Sequence, residues 1–158
     1  MSFTLENLVS DGDIEVIVRV DSALDVTGEE YDAYLEDLDE SKLKLKDSLV
    51  PTRFLMRRQI GYKHILRVEN SKAKYVDGEM TPQMGFITET VRAALKGIKY
   101  DDSVPAEKRI QIKLTGDGLV EDRLMSSFVQ AGIVNDLFKA RQNYLENVVK
   151  ARGDLKKS

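Results

Sequence analysis

The chain has 158 residues, of which 42% are hydrophobic and 32% are charged, and its formal net charge at pH 7 is −3. That length suits a single domain with a buried core. The absence of cysteine excludes disulfides, thiolate metal sites and cysteine nucleophiles. No apolar stretch is long enough to span a bilayer, and the first residues lack the basic start and apolar core of a signal peptide. These features predict a soluble intracellular protein that is not associated with a membrane.

Charge is distributed unevenly along the chain. Residues 11–48 include 13 acidic and 4 basic residues, whereas residues 49–158 include 13 acidic and 20 basic ones. We therefore divide the sequence into an acidic strand–helix segment (1–48), an α+β body (49–152) and a flexible tail (153–158), all within one domain. The uneven charge indicates either an acidic segment that docks on a basic body, or two solvated faces of no further significance.

The first predicted elements are a strand and an acidic helix. "DIEVIVRVD" (13–21) alternates in a way typical of a strand with one buried face. The residues on that face are Ile14, Val16, Val18 and Val20. Residues 26–47 predict a helix, because Thr27 and Glu30 match a capping box and tyrosines and leucines follow at roughly helical spacing. The acidic residues of this helix precede its lysines, as the helix dipole favours.

The stretch "VPTRFLMRRQI" (50–60) predicts a second, half-buried strand. Phe54 and Met56 lie on its buried face, and Pro51 suits a first strand position or a sheet edge. The other face carries Arg53, Leu55 and Arg57. Residues 62–75 then predict an amphipathic helix, followed by a loop over 76–80. The apolar residues of that helix are Ile65, Leu66 and Val68.

The most clearly delimited helix covers residues 81–97. Thr81 suits the N-cap, Pro82 the first turn and Gly97 the C-cap. After a loop, the alternation of "RIQIKL" (109–114) predicts a third strand, in which Ile110, Ile112 and Leu114 point inward.

A turn at "TGDG" (115–118) leads to the last part of the chain. The sequence is helical from Leu119 to Arg152, with a break near Gly132. The order of all these elements predicts an α+β fold with a small antiparallel sheet of three or four strands. Four to five helices accompany the sheet, and the C-terminal helix is long.

The sequence contains no recognisable catalytic constellation. Its single histidine, His64, lies in a predicted amphipathic helix, and no serine occupies a G-x-S-x-G elbow. The acidic residues between Asp21 and Asp32 do not match the spacing of a calcium loop. "LTGDGL" (114–119) lacks the lysine and hydroxyl of a phosphate-binding loop. We therefore predict a protein without enzyme activity, catalytic residues, cofactor or metal site.

A group of basic side chains remains as the candidate site. Its members are Arg53, Arg57, Arg58, Lys63 and Arg67. Arginine is common in protein interfaces because it combines charge with a planar group. Nucleic-acid binding is not favoured, since the nearby aromatic residues, Phe54 and Tyr62, are expected in the core rather than exposed for stacking. We predict that these side chains face either the acidic segment or a partner protein, and that release of the acidic segment would expose them.

Two stretches of the body resemble a known family. "PTRFLMRRQIGYKHILRVEN" (51–70) resembles a segment of small proteins from tailed-phage morphogenesis operons. "VRAALKGIKYDD" (91–102) is similar to the amphipathic helix with a Leu-x-Gly-hydrophobic ending that these proteins carry further along. With the final helical region, the resemblance covers residues 51–149. The family is that of the tail assembly chaperones of long-tailed phages.

The resemblance implies a non-enzymatic phage assembly protein that binds tail components. Chaperones of this family keep the tape-measure protein soluble while tail-tube subunits polymerise around it. The implied location is the host cytoplasm, and the implied partners are tape-measure or tail-tube proteins and further copies of the chain. Two alternatives stay open. One is a minor structural subunit of the virion that contacts capsid, portal or tail, and the other is a nucleic-acid-binding accessory protein.

Overall fold

The computed structural model describes residues 13–70, 75–76, 79–80 and 84–157. Its strands are β1 (Asp13–Val16), β2 (Arg53–Arg57), β3 (Tyr75–Val76), β4 (Glu79–Met80) and β5 (Leu95–Lys99). Its α-helices are α1 (Gly28–Asp37), α2 (Tyr62–Asn70), α3 (Met84–Ala94), α4 (Asp122–Gln130) and α5 (Val134–Lys157). Short 3₁₀ helices cover Glu40–Lys42 and Ala106–Lys108.

The main sheet has three antiparallel strands in the order β1-β2-β5. Ile14 pairs with Met56, and Phe54 pairs with Ile98. The predicted α+β fold, with a small antiparallel sheet, five helices in the described residues and a long last helix, is confirmed. A separate two-stranded pairing of β3 with β4 lies where the sequence predicts the last residue of a helix, Tyr75, and a loop over 76–80.

Strand β2 forms the centre of the sheet. Phe54 and Met56 are buried, as predicted, and the ring of Phe54 packs edge-on against Phe128 of α4, with centroids 6.0 Å apart. Pro51 lies two residues before the strand and is buried. Of the two positions that the sequence suggests for Pro51, a sheet edge is excluded because β2 has a neighbour on each side. The first strand position is missed by two residues, since β2 begins at Arg53.

Helix α1 begins as predicted but ends ten residues earlier. The hydroxyl of Thr27 accepts from the backbone N–H of Glu30, and the Glu30 carboxylate accepts from the N–H of Thr27, so the capping box is confirmed. The helix stops at Leu38, which adopts a left-handed backbone with φ 56°. The lysine-rich end of the predicted helix is instead a 3₁₀ turn and an extended stretch, in which Leu45 bridges to Leu24.

The acidic segment contributes directly to the hydrophobic core. Tyr31 and Tyr34 of α1 are fully buried together with Ile14 and Val16 of β1. The hydroxyl of Tyr34 accepts from the N–H of Ile17 at 3.0 Å, and that of Tyr31 donates to the carbonyl of the same residue at 2.8 Å. Helix α1 also packs on α5. Residues 13–48 therefore share one core with the body. By contrast, Val20 lies past the end of β1 and is exposed, against the prediction.

The buried tyrosines predict a loss of stability at alkaline pH. Burial raises the pKa of Tyr34 to about 12 from its ordinary value of 10.0. The pKa of Tyr34 is higher in the folded state than in the unfolded chain. The stabilisation that this tyrosine contributes is therefore complete below pH 10.0 and is lost as the pH rises through about 12. We expect the melting temperature followed by circular dichroism to fall over this interval. Tyr34→Phe should make the fall shallower, and an unchanged slope would contradict the assignment.

The third strand of the sheet is β5 and not the predicted "RIQIKL". Residues 109–114 form no strand: Ile110 and Leu114 are exposed, and Leu114 makes only an isolated bridge to Val120. Helix α3 passes directly into β5 at Ala94 and Leu95, so Gly97 is a strand residue paired with Leu55 and not a helix C-cap. The predicted N-cap and first-turn residues of this helix, Thr81 and Pro82, lie outside the described residues.

Two glycines have different backbone conformations: Gly97 lies in a strand, and Gly132 lies in a left-handed turn. A Cβ added at Gly97 would meet Leu55 at an ordinary 3.7 Å, whereas Gly132 has φ 74° with nothing within 4 Å of its added Cβ. Gly97→Ala should stabilise the protein by about 0.5–1 kcal/mol. Gly132→Ala should destabilise it by about 1–2 kcal/mol through backbone strain alone. Urea denaturation measures both, and a destabilising Gly97→Ala would contradict the strand assignment.

The C-terminal helices meet at the predicted break. Helix α4 ends at Gln130, Gly132 turns the chain, and α5 begins at Val134. Leu137 and Ala140 of α5 are fully buried against the sheet and the other helices. Helix α5 extends to Lys157 and so includes most of the residues that the sequence assigns to a tail.

Candidate functional site

The five basic residues of the candidate site lie on β2, the loop after it and α2. Arg57 and Lys63 both contact the turn at residues 117–118 and line one cleft, whereas the other three basic residues contact other parts of the fold. Arg53 faces the acidic segment. Its Nη2 lies 2.6 Å from Glu40 and its Nε 3.7 Å from Glu15, and the bond to Glu40 raises the pKa of Arg53. This part of the predicted contact between basic and acidic regions is present.

Arg57 and Arg58 interact with backbone and ring instead of carboxylates. Arg57 donates to the carbonyl oxygens of Ala93 and Gly118, at 3.2 and 3.3 Å. The guanidinium of Arg58 lies 5.0 Å from the centroid of the Tyr144 ring, a cation–π contact. Within the described part of the chain, neither arginine has a carboxylate within ion-pair distance. Both charges therefore lack a carboxylate counter-ion among the described residues.

Lys63 and Arg67 connect α2 to neighbouring elements. The ammonium of Lys63 lies 2.8 Å from Asp117, which lowers the pKa of that carboxyl, and Arg67 lies 3.0 Å from Glu89 of α3. The Nε2 of His64 is 2.7 Å from the carbonyl oxygen of Asp117. His64 is thus a buried residue that attaches α2 to the "TGDG" turn.

The outward face of α2 differs from the prediction. Tyr62 was expected in the core, and that prediction is wrong, because its side chain is exposed. Of the apolar residues of the predicted helix, Ile65 and Leu66 are also exposed, and only Val68 is buried, together with His64. Tyr62 is 82% exposed and Leu66 is 65% exposed. These two residues are four apart and so neighbour each other on the helix surface. We call Tyr62, Lys63, Ile65 and Leu66 the α2 outer face.

The α2 outer face borders an open cleft of about 420 Å³. Arg57, Tyr62, Lys63, His64 and Asp117 contribute to its walls. The only carboxylate among the lining residues, that of Asp117, is paired with Lys63. The cleft offers cationic, aromatic and hydrogen-bonding groups, which suit recognition of a peptide.

Other site chemistries find little support in the described residues. No group of three or more His, Asp or Glu side chains there is arranged to hold a metal ion. Nor does any helix in those ranges have the length and apolar character of a membrane span. Comparison with protein-family models, curated proteins and solved structures finds no match to the chain. The functional assignment therefore depends on the residues themselves and on the resemblance of residues 51–149.

The sequence indicates the basic residues but misses the apolar side of the site. Tyr62 and Leu66 are exposed because the other side of α2 packs on α3. Which side packs depends on contacts between residues far apart in the sequence. The one available signal is their spacing of four, combined with the neighbouring Lys63. An apolar pair beside a cation on a short helix is typical of a docking face as much as of a core face.

Proposed function

We propose that this chain is a non-enzymatic assembly protein of a tailed phage that binds tail components, in the manner of a tail assembly chaperone. The observation that carries the proposal is the α2 outer face, where two large apolar side chains are exposed beside Lys63. Contiguous exposed apolar surface rimmed by charge marks protein-binding sites. The same residues lie within the stretch that resembles the chaperone family.

The proposed partners are tape-measure or tail-tube proteins. Their apolar assembly surfaces would have to be shielded from water until the tail tube polymerises. Tyr62 and Leu66 would bury apolar area against such a surface. Arg57, which lines the cleft and has no ion-pair partner among the described residues, would add electrostatic specificity, because charge complementarity governs partner choice more than affinity. Arg53 is occupied by Glu40 and Glu15, and it would instead hold the acidic segment in place.

Binding by release of the acidic segment is a poor mechanism for this fold. Moving α1 away would expose Tyr31 and Tyr34, which are fully buried and hydrogen-bonded to Ile17. Burying an aromatic side chain is among the largest single contributions to a core. We therefore propose that the α2 outer face binds a partner without prior rearrangement, and that partner binding changes little when α1 is held in place.

Co-expression with the tape-measure and tail-tube proteins of the same genome tests the proposal. The double variant Tyr62→Ser and Leu66→Ser removes exposed apolar surface, so it should fold normally and recover at least about tenfold less partner on affinity purification. Leu49→Ser, at another exposed leucine, is the matched control and should bind as the parent chain does. Equal recovery by the double variant and the control would contradict the proposal.

A further inference from the structure

A second surface, which the sequence does not reveal, lies between α3 and α5. It is an open groove of about 460 Å³ with a mainly apolar lining. Phe86 and Phe138 meet edge-on there, with ring centroids 5.6 Å apart. Leu145 and Val149 continue the apolar wall along α5, and Val149 is 65% exposed. We call this surface the α3–α5 groove.

One guanidinium stands in the wall of this apolar groove. Arg141 donates from Nε to the carbonyl of Arg57 at 3.0 Å and from Nη2 to that of Arg58 at 2.6 Å. Among the described residues, no carboxylate lies within ion-pair distance of it. Burial without a counter-charge lowers the pKa of Arg141. Charges removed from water are ordinarily paired, so the groove has an uncompensated positive charge.

The length and rim of the groove suit a helix. Its α5 wall runs from Phe138 to Lys150, about 18 Å at the rise of an α-helix, which matches three turns of a docked helix. Glu146 and Lys150 lie toward the C-terminal end of the α5 wall and place opposite charges along the groove. Two helices side by side form the kind of trough that accepts the apolar face of a third.

We propose that the α3–α5 groove binds an amphipathic helix of a partner protein, whose apolar residues recur three and four positions apart and whose carboxylate reaches Arg141. The inference rests on the proposed function, because it requires a protein partner. A second copy of the chain is a poor occupant through α2, since the exposed apolar residues there are accompanied by Lys63 and Arg67 and would bring cations to Arg141. The charge of the groove therefore favours an acidic helix.

Site-specific cross-linking locates the occupant. p-Benzoylphenylalanine in place of Val149 is compared with the same residue in place of Tyr62 and of Val20, during co-expression with tape-measure and tail-tube proteins. We expect position 149 to cross-link to a segment with apolar residues at helical spacing and an aspartate or glutamate among them. Cross-links to a segment without that pattern, or only to a second copy, would overturn the proposal.

A charged substitution in the groove tests how much the groove contributes to partner affinity. Val149→Asp places a carboxylate in the groove and should lower partner recovery at least about tenfold, whereas Val20→Asp, at a valine of similar exposure (63% against 65%), should leave it unchanged. Unchanged partner recovery with Val149→Asp would overturn the proposal that the α3–α5 groove binds the partner. If the parent chain binds tail proteins but cross-links to them only from position 62, the groove is not the binding surface, and the proposed function stands. If the parent chain recovers no tail protein, both fail.

Discussion

Replacement of Tyr34 by alanine is expected to lower the free energy of unfolding by about 3–5 kcal/mol, the range for truncating a buried aromatic side chain. Tyr34 is fully buried and joins α1 to the stretch after β1, through its bond from Ile17. The variant leaves a cavity at the contact between the acidic segment and the body. Urea denaturation followed by circular dichroism measures the change.

The matched variant Tyr34→Phe keeps the ring and removes only the hydroxyl. It leaves the N–H of Ile17 without its acceptor and should cost about 1–3 kcal/mol, the penalty for an unsatisfied buried donor. A loss below about 1 kcal/mol for Tyr34→Ala would be inconsistent with cavity formation in a shared core. That result would mean that residues 13–48 separate readily from the body, and release of the acidic segment would again be a workable mechanism.

Replacement of Arg141 by alanine is expected to lower the free energy of unfolding by about 2–4 kcal/mol. Two hydrogen bonds from its guanidinium hold the end of β2 against α5, and bonds from charged donors each contribute about 1.5–3 kcal/mol. Removing a charge that lacks a counter-ion offsets part of this loss. The net effect is therefore smaller than the two bonds together.

Lys139→Ala on the same helix is the control for loss of a cation, because Lys139 is exposed and should change stability by less than about 0.5 kcal/mol. Arg141→Lys should lie between the two, since lysine keeps the charge but loses the planar fork that reaches both carbonyls. Equal stability of Arg141→Ala and Lys139→Ala would show that Arg141 does not support β2. Its place in the α3–α5 groove would then need another explanation.

Local signals predicted the parts of the fold that depend on neighbouring residues. The capping box of Thr27 and Glu30, the buried face of β2 and the break at Gly132 all arise from interactions within a few residues. Strand β5 was missed because Val91, Ala94, Leu95 and Ile98 also fit a helical stripe. The left-handed residue Leu38 ends α1 inside a stretch whose pattern continues to suggest a helix.

The candidate site was only partly predictable because its contacts are distant in the sequence. The basic residues could be named, but Lys63 pairs with Asp117 across 54 positions, and Arg141 reaches Arg57 across 84. Neither the exposure of Leu66 nor the groove beside Arg141 follows from residue spacing. Both depend on how α2, α3 and α5 pack, which is a property of the whole core.

The proposed binding of phage tail components during assembly is best examined by affinity purification from cells that express the whole gene neighbourhood of the chain. Mass spectrometry of the bound proteins is paired with analysis of finished particles. We expect a tape-measure or tail-tube protein to be recovered with the chain, and the chain to be missing from the particles. Recovery of capsid, portal or intact particles in its place would contradict the chaperone-like role and make the chain a structural subunit of the virion.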